Sequence, residues 1–455
     1  SDLFKWYFWS NCMKVTYDVV IIGAGFTGLT AAFCLSKKGY KVRVLESEDY
    51  AGGLAGTFKF SDDITLEKFY HHWFNNDEFV PELVKELGME GDVILLPTNT
   101  GMYFNGRIWK LSSPLDLLKF KALSFVGRIR LGLLVFQVRR IKDWRQIEHL
   151  SIEQWLVSLC GQTVYDIVWK PLVESKFSVY SDVVSAVWMW KKLVLRGSTR
   201  NSRGGEELAY FKGGFGRLAE MLVAKIQLNG SEVSYGDKVL GVESSGGRVS
   251  SVKTSKGEII ANNFLFTPAP SVVADFFDTS SENEWIESLK RIKYLGNMCL
   301  VLRLSQSLSD TYWLNVNDPG FPFVGVIEHT NFDSPENYDN SHIVYLSKYI
   351  AVEDPVWKFN DADYYQFCIK HILQMFPEFN ESWVLEYKVW RSRYAQPVME
   401  LNYSKIIPKR ETPFGNAWLS NMAQIYPEDR GTNYAIREGR AIAGKILEEL
   451  EDKRQ

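Results

Sequence analysis

The sequence predicts an α/β fold whose domains are interleaved along the chain, and three observations predict it. A strand, glycine turn, helix and strand fill residues 18–46. A helical stretch (112–192) and an alternating β meander (from about residue 232) separate this unit from a strand–loop–helix near the C-terminus. No internal repeat or low-complexity linker divides the 455 residues, so the parts read as interleaved rather than strung in series.

Residues 18–46 read DVVIIGAGFTGLTAAFCLSKKGYKVRVLE. The apolar run Val19 to Ile22 enters a turn made of Gly23, Ala24, Gly25, Phe26, Thr27 and Gly28. Gly23 allows the tight turn, Gly25 lets the backbone approach a pyrophosphate, and Gly28 lets the helix pack closely on the strand. The helix aims its first amides and its dipole at the phosphates, and it stops at Gly39. A second apolar run ends in Glu46, 18 residues past Gly28, with Ser47 beside it. A carboxylate there accepts hydrogen bonds from a ribose and repels a 2′-phosphate, so NADP is disfavoured. Dinucleotide binding follows; FAD and NAD both satisfy the motif.

Bulk properties narrow the classes. The length predicts two or three domains, and a net charge of −3 gives no global field toward nucleic acid. Aromatic residues make 14% of the chain, which fits large cores or a stacking, apolar cavity. Cys12, Cys34, Cys160, Cys299 and Cys368 are scattered without a CxxC, which argues against a disulfide framework and for a reducing, cytoplasmic setting. Histidines and cysteines show no metal-ligand spacing, so no metal is expected. No stretch reaches the ~18 apolar residues needed to span a bilayer. Residues 1–12, which include LFKWYFW, read as an extension outside the fold.

Along the chain, Gly52 and Gly53 precede Leu54 and Ala55 in a loop whose backbone passes close to something, and LEKFYHHWF (66–74) crowds aromatic residues beside His71, His72 and Trp73. A short helix is expected over 77–88 and strands near 93–96 and 102–109, with Asn105-Gly106 as a hairpin turn. Ser113 and Pro114 suggest a helix cap, and Ser151 another. The stretch 115–145 mixes apolar stripes with basic residues; it reads first as a solvated face of a helical subdomain and second as a peripheral membrane contact. Residues 196–217 are expected to form a glycine- and arginine-rich loop, followed by a helix over 217–229 and the β meander. Further strands are expected near 296–305, 343–350 and 417–421, and helices over 361–376 and from Asn433 to Glu451.

Taken together, the chain resembles the flavin-dependent amine oxidase, protoporphyrinogen oxidase and phytoene desaturase superfamily. Three blocks carry the resemblance: the βαβ unit extended by Gly52-Gly53, FKGGFGRLAEML with the strand through Val239, and AWLSNMAQIYPEDRGTNYAIREGRAIA. The resemblance implies a Rossmann-like FAD-binding domain of the GR2 type, an α+β substrate domain and a helical subdomain. It divides the chain into FAD-binding segments 14–76, 205–270 and 411–452, substrate segments 77–111 and 271–410, and a helical segment 112–195. It makes FAD the cofactor and places Val239, Asn421, Met422, Gly431, Thr432 and Asn433 against it, with His71, His72 and Trp73 lining the flavin. Leu54 departs from the arginine usual after the double glycine, and Asn421 from the acid usual after the last strand.

Flavin chemistry needs no Ser/His/Asp or metal constellation, and none is visible. His72 and Tyr394 are the candidate catalytic side chains, and Gln396 a candidate cavity residue in the YAQP stretch. Arg196, Arg200 and Arg203 could clamp a carboxylate or phosphate of the substrate, or lie in a solvated loop. The leading expectation is an FAD-dependent oxidoreductase taking a hydride from a C–C or C–N bond of a largely apolar small molecule. Two alternatives stand beside it: a non-redox flavoenzyme of the UDP-galactopyranose mutase type, and a flavin-free binding protein of the Rab GDP dissociation inhibitor type. The oligomeric state is not legible in the sequence.

Overall fold

The computed structural model describes residues 17–61, 64–110, 116, 119–198, 206–277 and 283–452. In chain order the elements that position the site begin with strand β1 (Tyr17–Ile22), helix α1 (Phe26–Lys37), β2 (Val42–Leu45), β3 (Thr100–Phe104), β4 (Arg107–Lys110), α2 (Phe125–Arg140), α3 (Lys170–Phe177) and α4 (Ala186–Ser198). They continue with α5 (Gly214–Leu228), β5 (Glu232–Ser234), β6 (Val239–Ser245), β7 (Arg248–Thr254), β8 (Gly257–Phe266), β9 (Tyr294–Leu304) and β10 (Trp313–Val316). The chain closes with β11 (Gly325–Glu328), β12 (His342–Ile350), α6 (Asp361–Met375), β13 (Val384–Pro397), β14 (Ala417–Leu419) and α7 (Thr432–Asp452).

One sheet runs β5-β2-β1-β8-β7-β6, with β14 also paired to β8. Its centre is parallel, and β1 reads as a continuous apolar run because both its faces are buried, Val19 and Ile21 in one core and Val20 and Ile22 in another. Strands from the start, middle and end of the chain therefore share one sheet. Helix α7 crosses α1 so closely that a Cβ at Gly439 would stand 2.6 Å from the Thr27 carbonyl oxygen. That approach joins the two termini of the fold around the glycine turn.

A second sheet runs β13-β9-β12-β11-β10-β3-β4. Along β9 and β12 alternate residues serve two cores. Cys299, Val301, Ile343 and Tyr345 face the nucleotide-binding side, while Met298, Leu300, Val344 and Leu346 face α6. The Asn105-Gly106 turn of β3–β4 takes φ of 54° and 68°, which suits the right-handed strand twist. Ser151 forms a capping box with Gln154, as its sequence suggests. The Ser113-Pro114 cap lies outside the described residues.

The segment 196–217 departs from the expected loop. Helix α4 runs to Ser198, Glu206–Phe211 is a strand paired with Val93–Thr98, and α5 starts at Gly214. The run Leu208, Ala209, Tyr210 and Phe211 is buried on both faces of the strand, and that burial outweighs the glycine-rich surroundings.

Candidate active site

Both glycine turns meet at the carboxyl end of β1. Gly23 adopts φ +103°, and a Cβ at Gly28 would lie 2.1 Å from the Gly23 carbonyl oxygen, so close helix–strand packing excludes any side chain there. Gly25 is different, because a Cβ built on it meets nothing within 4 Å. It borders open space beside the start of α1, the cradle a pyrophosphate requires. The Gly52 amide donates to the Ala24 carbonyl at 2.8 Å, and Gly53 (φ +59°) lies against Gly25. The second loop is thereby fixed over the first, with Leu54 and Ala55 in its short helical turn.

Glu46 ends β2. Its carboxylate accepts from the Ala24 amide at 2.7 Å and the Glu48 amide at 3.0 Å, and Ser47 donates to it. The segment leading to Val239 runs beside it, with the Asp237 amide donating to the Glu46 carbonyl at 2.8 Å. Asn421 follows β14, caps the turn at Met422 and is 2% exposed. The Asn421 Nδ2 and Ser420 Oγ atoms are buried without a hydrogen-bond partner. Buried donors of this kind call for a polar ligand, and a dinucleotide's ribityl or diphosphate oxygens have that character.

A cleft of about 220 Å³ opens from these loops toward the second sheet. Leu54, His71, His72 and Trp73 form one wall, and Gly431, Thr432 and Asn433 present the N-terminus of α7. The amides of a first helical turn have no partner within the helix, so this end favours negative charge. Asn433 also ties the wall down, accepting from the Phe79 and Val80 amides at 2.9 and 3.1 Å. His71 Nδ1 lies 2.6 Å from the Phe69 carbonyl oxygen, and His72 Nδ1 lies 3.0 Å from the Tyr312 hydroxyl. Burial drives His71 down to about 4, with Arg430 adding to the effect, so its ring is neutral at pH 7.

The far end of the cleft is charged, which the sequence did not signal. Tyr349 on β12, Lys176 on α3, Lys192 on α4 and the pair Asp429-Arg430 meet there. Arg430 Nη2 donates to the Tyr349 hydroxyl at 2.6 Å, and Lys176 Nζ sits 3.6 Å from that ring's centroid. Burial would raise the Tyr349 phenol, but Arg430 and Lys176 overcome it and bring it down. Burial, reinforced by Arg430 and Lys192, lowers the Lys176 ammonium to about 8. Burial also opposes the Asp429 charge, yet Lys192, Lys176 and Arg430 hold its carboxyl well below the usual range.

The other candidate residues fall elsewhere. Tyr394 packs edge-on against Tyr294 at 5.6 Å and does not line the cleft; its neighbour Ala395 does, since adjacent strand residues face opposite ways. Gln396 is fully buried and bridges behind the wall, accepting from Arg430 Nε and donating to Asp429, each at 3.1 Å. Arg200, Arg203 and the side chain of Arg196 lie outside the described residues. Among the described residues no cluster of potential metal ligands occurs, and Cys34, Cys160, Cys299 and Cys368 are free thiols.

Known proteins resemble this chain in sequence and in fold. A family model described as flavin containing amine oxidoreductase matches residues 26–447. The chain is 23% identical to a 15-cis-phytoene desaturase of an Oncidium hybrid cultivar, over 95% of this chain and 77% of that one. It is 25% identical to amine oxidase [flavin-containing] B of Cavia porcellus, over 57% of this chain and 51% of the other. The matches to flavin monoamine oxidases thus span only a third to about half of those proteins. In fold, a crystal structure of reduced UDP-galactopyranose mutase superposes with a TM-score of 0.76 at 16% identity, covering 95% of this chain and 94% of that one.

Proposed function

The chain belongs to the flavin containing amine oxidoreductase family and takes FAD as its cofactor; from that premise we propose an FAD-dependent oxidoreductase that takes a hydride from a C–C or C–N bond of a largely apolar substrate. The observation that carries this reading is the cleft in which Leu54 of the double-glycine loop, the N-terminus of α7 and the aromatic face of the second sheet converge. Bound FAD supplies the electron-accepting chemistry. The Gly23–Gly28 turn, Glu46, Gly52-Gly53 and Asn421 are suited to hold the dinucleotide, and the amides of α7 to favour negative charge on the ring system. Phe69, Tyr70, Tyr312 and Trp313 give the cleft an apolar, water-excluding wall, and His72 is placed to orient substrate through Tyr312.

Anaerobic mixing with a panel of amines, porphyrinogens, polyenes and sugar nucleotides tests the reading. Stoichiometric loss of the oxidised-flavin band names the substrate class. The cationic end of the cleft also suits a phosphate-bearing substrate, which keeps the mutase-type reading as the second. Redox-neutral turnover only after prior flavin reduction would establish that reading instead. Family membership favours both over a flavin-free binding protein.

We also propose a cytoplasmic protein that touches a membrane surface through α2. Phe125, Val126, Ile129, Leu133 and Phe136 are exposed, while Leu123, Leu134 and Val138 are buried. At about 3.6 residues per turn the exposed five share one side of the helix, flanked by the exposed Arg130, Arg139 and Arg140. An apolar stripe between cations complements an anionic bilayer interface. Among the described residues no helix is long and apolar enough to cross a membrane.

A further inference from the structure

We propose that the end of the cleft walled by Lys176, Arg430 and Tyr349 is a subsite for an oxyanion, a carboxylate or phosphate carried by the substrate. The inference rests on the reading of the cleft as the substrate site and narrows the substrate to an apolar body with an anionic end.

The local charge balance argues for it. Lys176, Lys192 and Arg430 line the cleft with two carboxylates, Asp77 and Asp429, of which Asp429 is the one that acts on Lys176 and Arg430. That carboxylate is already engaged, since Lys192 Nζ pairs with its Oδ2 at 2.8 Å and Gln396 donates to its Oδ1 at 3.1 Å. Neither Lys176 nor Arg430 has a carboxylate within ion-pair distance among the described residues. Arg430 is held instead by neutral acceptors, the Tyr349 hydroxyl at 2.6 Å and Gln396 Oε1 at 3.1 Å. Two cations are thus pressed toward one ring, Lys176 Nζ at 3.6 Å and Arg430 Cζ at 5.8 Å from the Tyr349 centroid. Enclosed like charges are costly unless an anion compensates them. Burial is the main cause of the lowered Lys176 ammonium, and the neighbouring Arg430 and Lys192 add to it.

The scaffold is preorganised for a ligand. Lys176, Tyr349 and Arg430 come from three separate elements, α3, β12 and the loop before α7, so no single local sequence forced the cluster. Asn297, 4% exposed on β9, lines the cleft with its Oδ1 unpartnered while its Nδ2 donates to Ser347 at 2.9 Å. That oxygen offers an acceptor to a substrate O–H or N–H. A guanidinium with an ammonium across a cavity suits the spread oxygens of a carboxylate or phosphate. An amine substrate would meet the same cations as repulsion.

The test uses the FAD-loaded protein and four probes: benzoate, inorganic phosphate, the neutral isostere benzamide and the cation benzylamine. Affinity is read from the perturbed flavin spectrum and, independently, from the thermal shift. The expected result is saturable binding of benzoate or phosphate about tenfold tighter than benzamide, and the stronger of the two names the oxyanion. Lys176→Gln should weaken that anion about tenfold and leave benzamide unchanged, while Lys176→Arg restores it. Benzamide or benzylamine binding as tightly as both anions would overturn the proposal, as would Lys176→Gln with anion affinity within about twofold of the parent. Failure of the flavin reading shows separately as a protein that takes up no FAD.

Discussion

Gly25→Ala separates the cofactor cradle from the fold. Gly25 has φ −73° and ψ 171°, a conformation alanine adopts freely. Its added methyl would meet no protein atom within 4 Å. The apoprotein should therefore hold its stability, or gain the ~0.4–1 kcal/mol that such a substitution draws from the unfolded chain. FAD, by contrast, must bring its diphosphate into the space the methyl takes. Losing one amide–phosphate hydrogen bond costs about 1.5–3 kcal/mol, which is about tenfold to a hundredfold in Kd. Gly28→Ala is the control with the opposite signature, since its methyl would stand 2.1 Å from the Gly23 carbonyl oxygen. That overpacking should destabilise even the apoprotein by about 1–3 kcal/mol. Thermal unfolding of both apoproteins and FAD titration by fluorescence measure the two effects. A Gly25→Ala protein that binds FAD within about twofold of the parent refutes the reasoning.

Three further outcomes follow from the same geometry. Glu46→Ala removes the acceptor of the Ala24 amide and should weaken FAD about tenfold without altering relative rates on different substrates, checked by titration and a substrate panel. Burial raises Glu67 to about 7 from its ordinary 4.5, although Tyr210 and the Phe215 amide donate to it. Its contribution to stability is then full below pH 4.5 and is lost as pH rises toward 7, by about 3 kcal/mol. Glu67→Gln should accordingly flatten that part of the Tm–pH profile, and an unchanged slope would count against the assignment. Replacing Phe125 and Phe136 by serine should leave Tm within about 2 °C and reduce cosedimentation with anionic vesicles; undiminished binding would remove α2 from the membrane contact.

Local chemistry made much of the nucleotide half legible. Gly23, Gly28 and Glu46 are dictated by turn geometry and close approach, so short-range spacing reveals them. The long strands β9 and β12 are legible as apolar runs because both their faces are buried. What escaped was tertiary. Lys176 sits in an ordinary helical sequence, VESKF, and acquires meaning only when α3 folds against Tyr349, 173 residues later. Arg430 adjoins the recognisable Gly431-Thr432-Asn433 start of α7, but its partners Tyr349 and Gln396 lie on other strands. Tyr394 and Gln396 show a related limit: a motif locates a strand over the site, and only register decides which side chain faces inward. Glycine content misread 196–217 because burial of the continuous apolar run from Leu208 to Phe211 outweighed it.

Purification with FAD, followed by anaerobic reduction with the best substrate of the panel, tests the central claim most directly. The account predicts one FAD per chain, oxidised-flavin absorbance lost in proportion to substrate added, and that loss driven best by an apolar molecule bearing a carboxylate or phosphate. A colourless protein that cannot be reconstituted with FAD, or a flavin that no substrate of any class reduces, would contradict it.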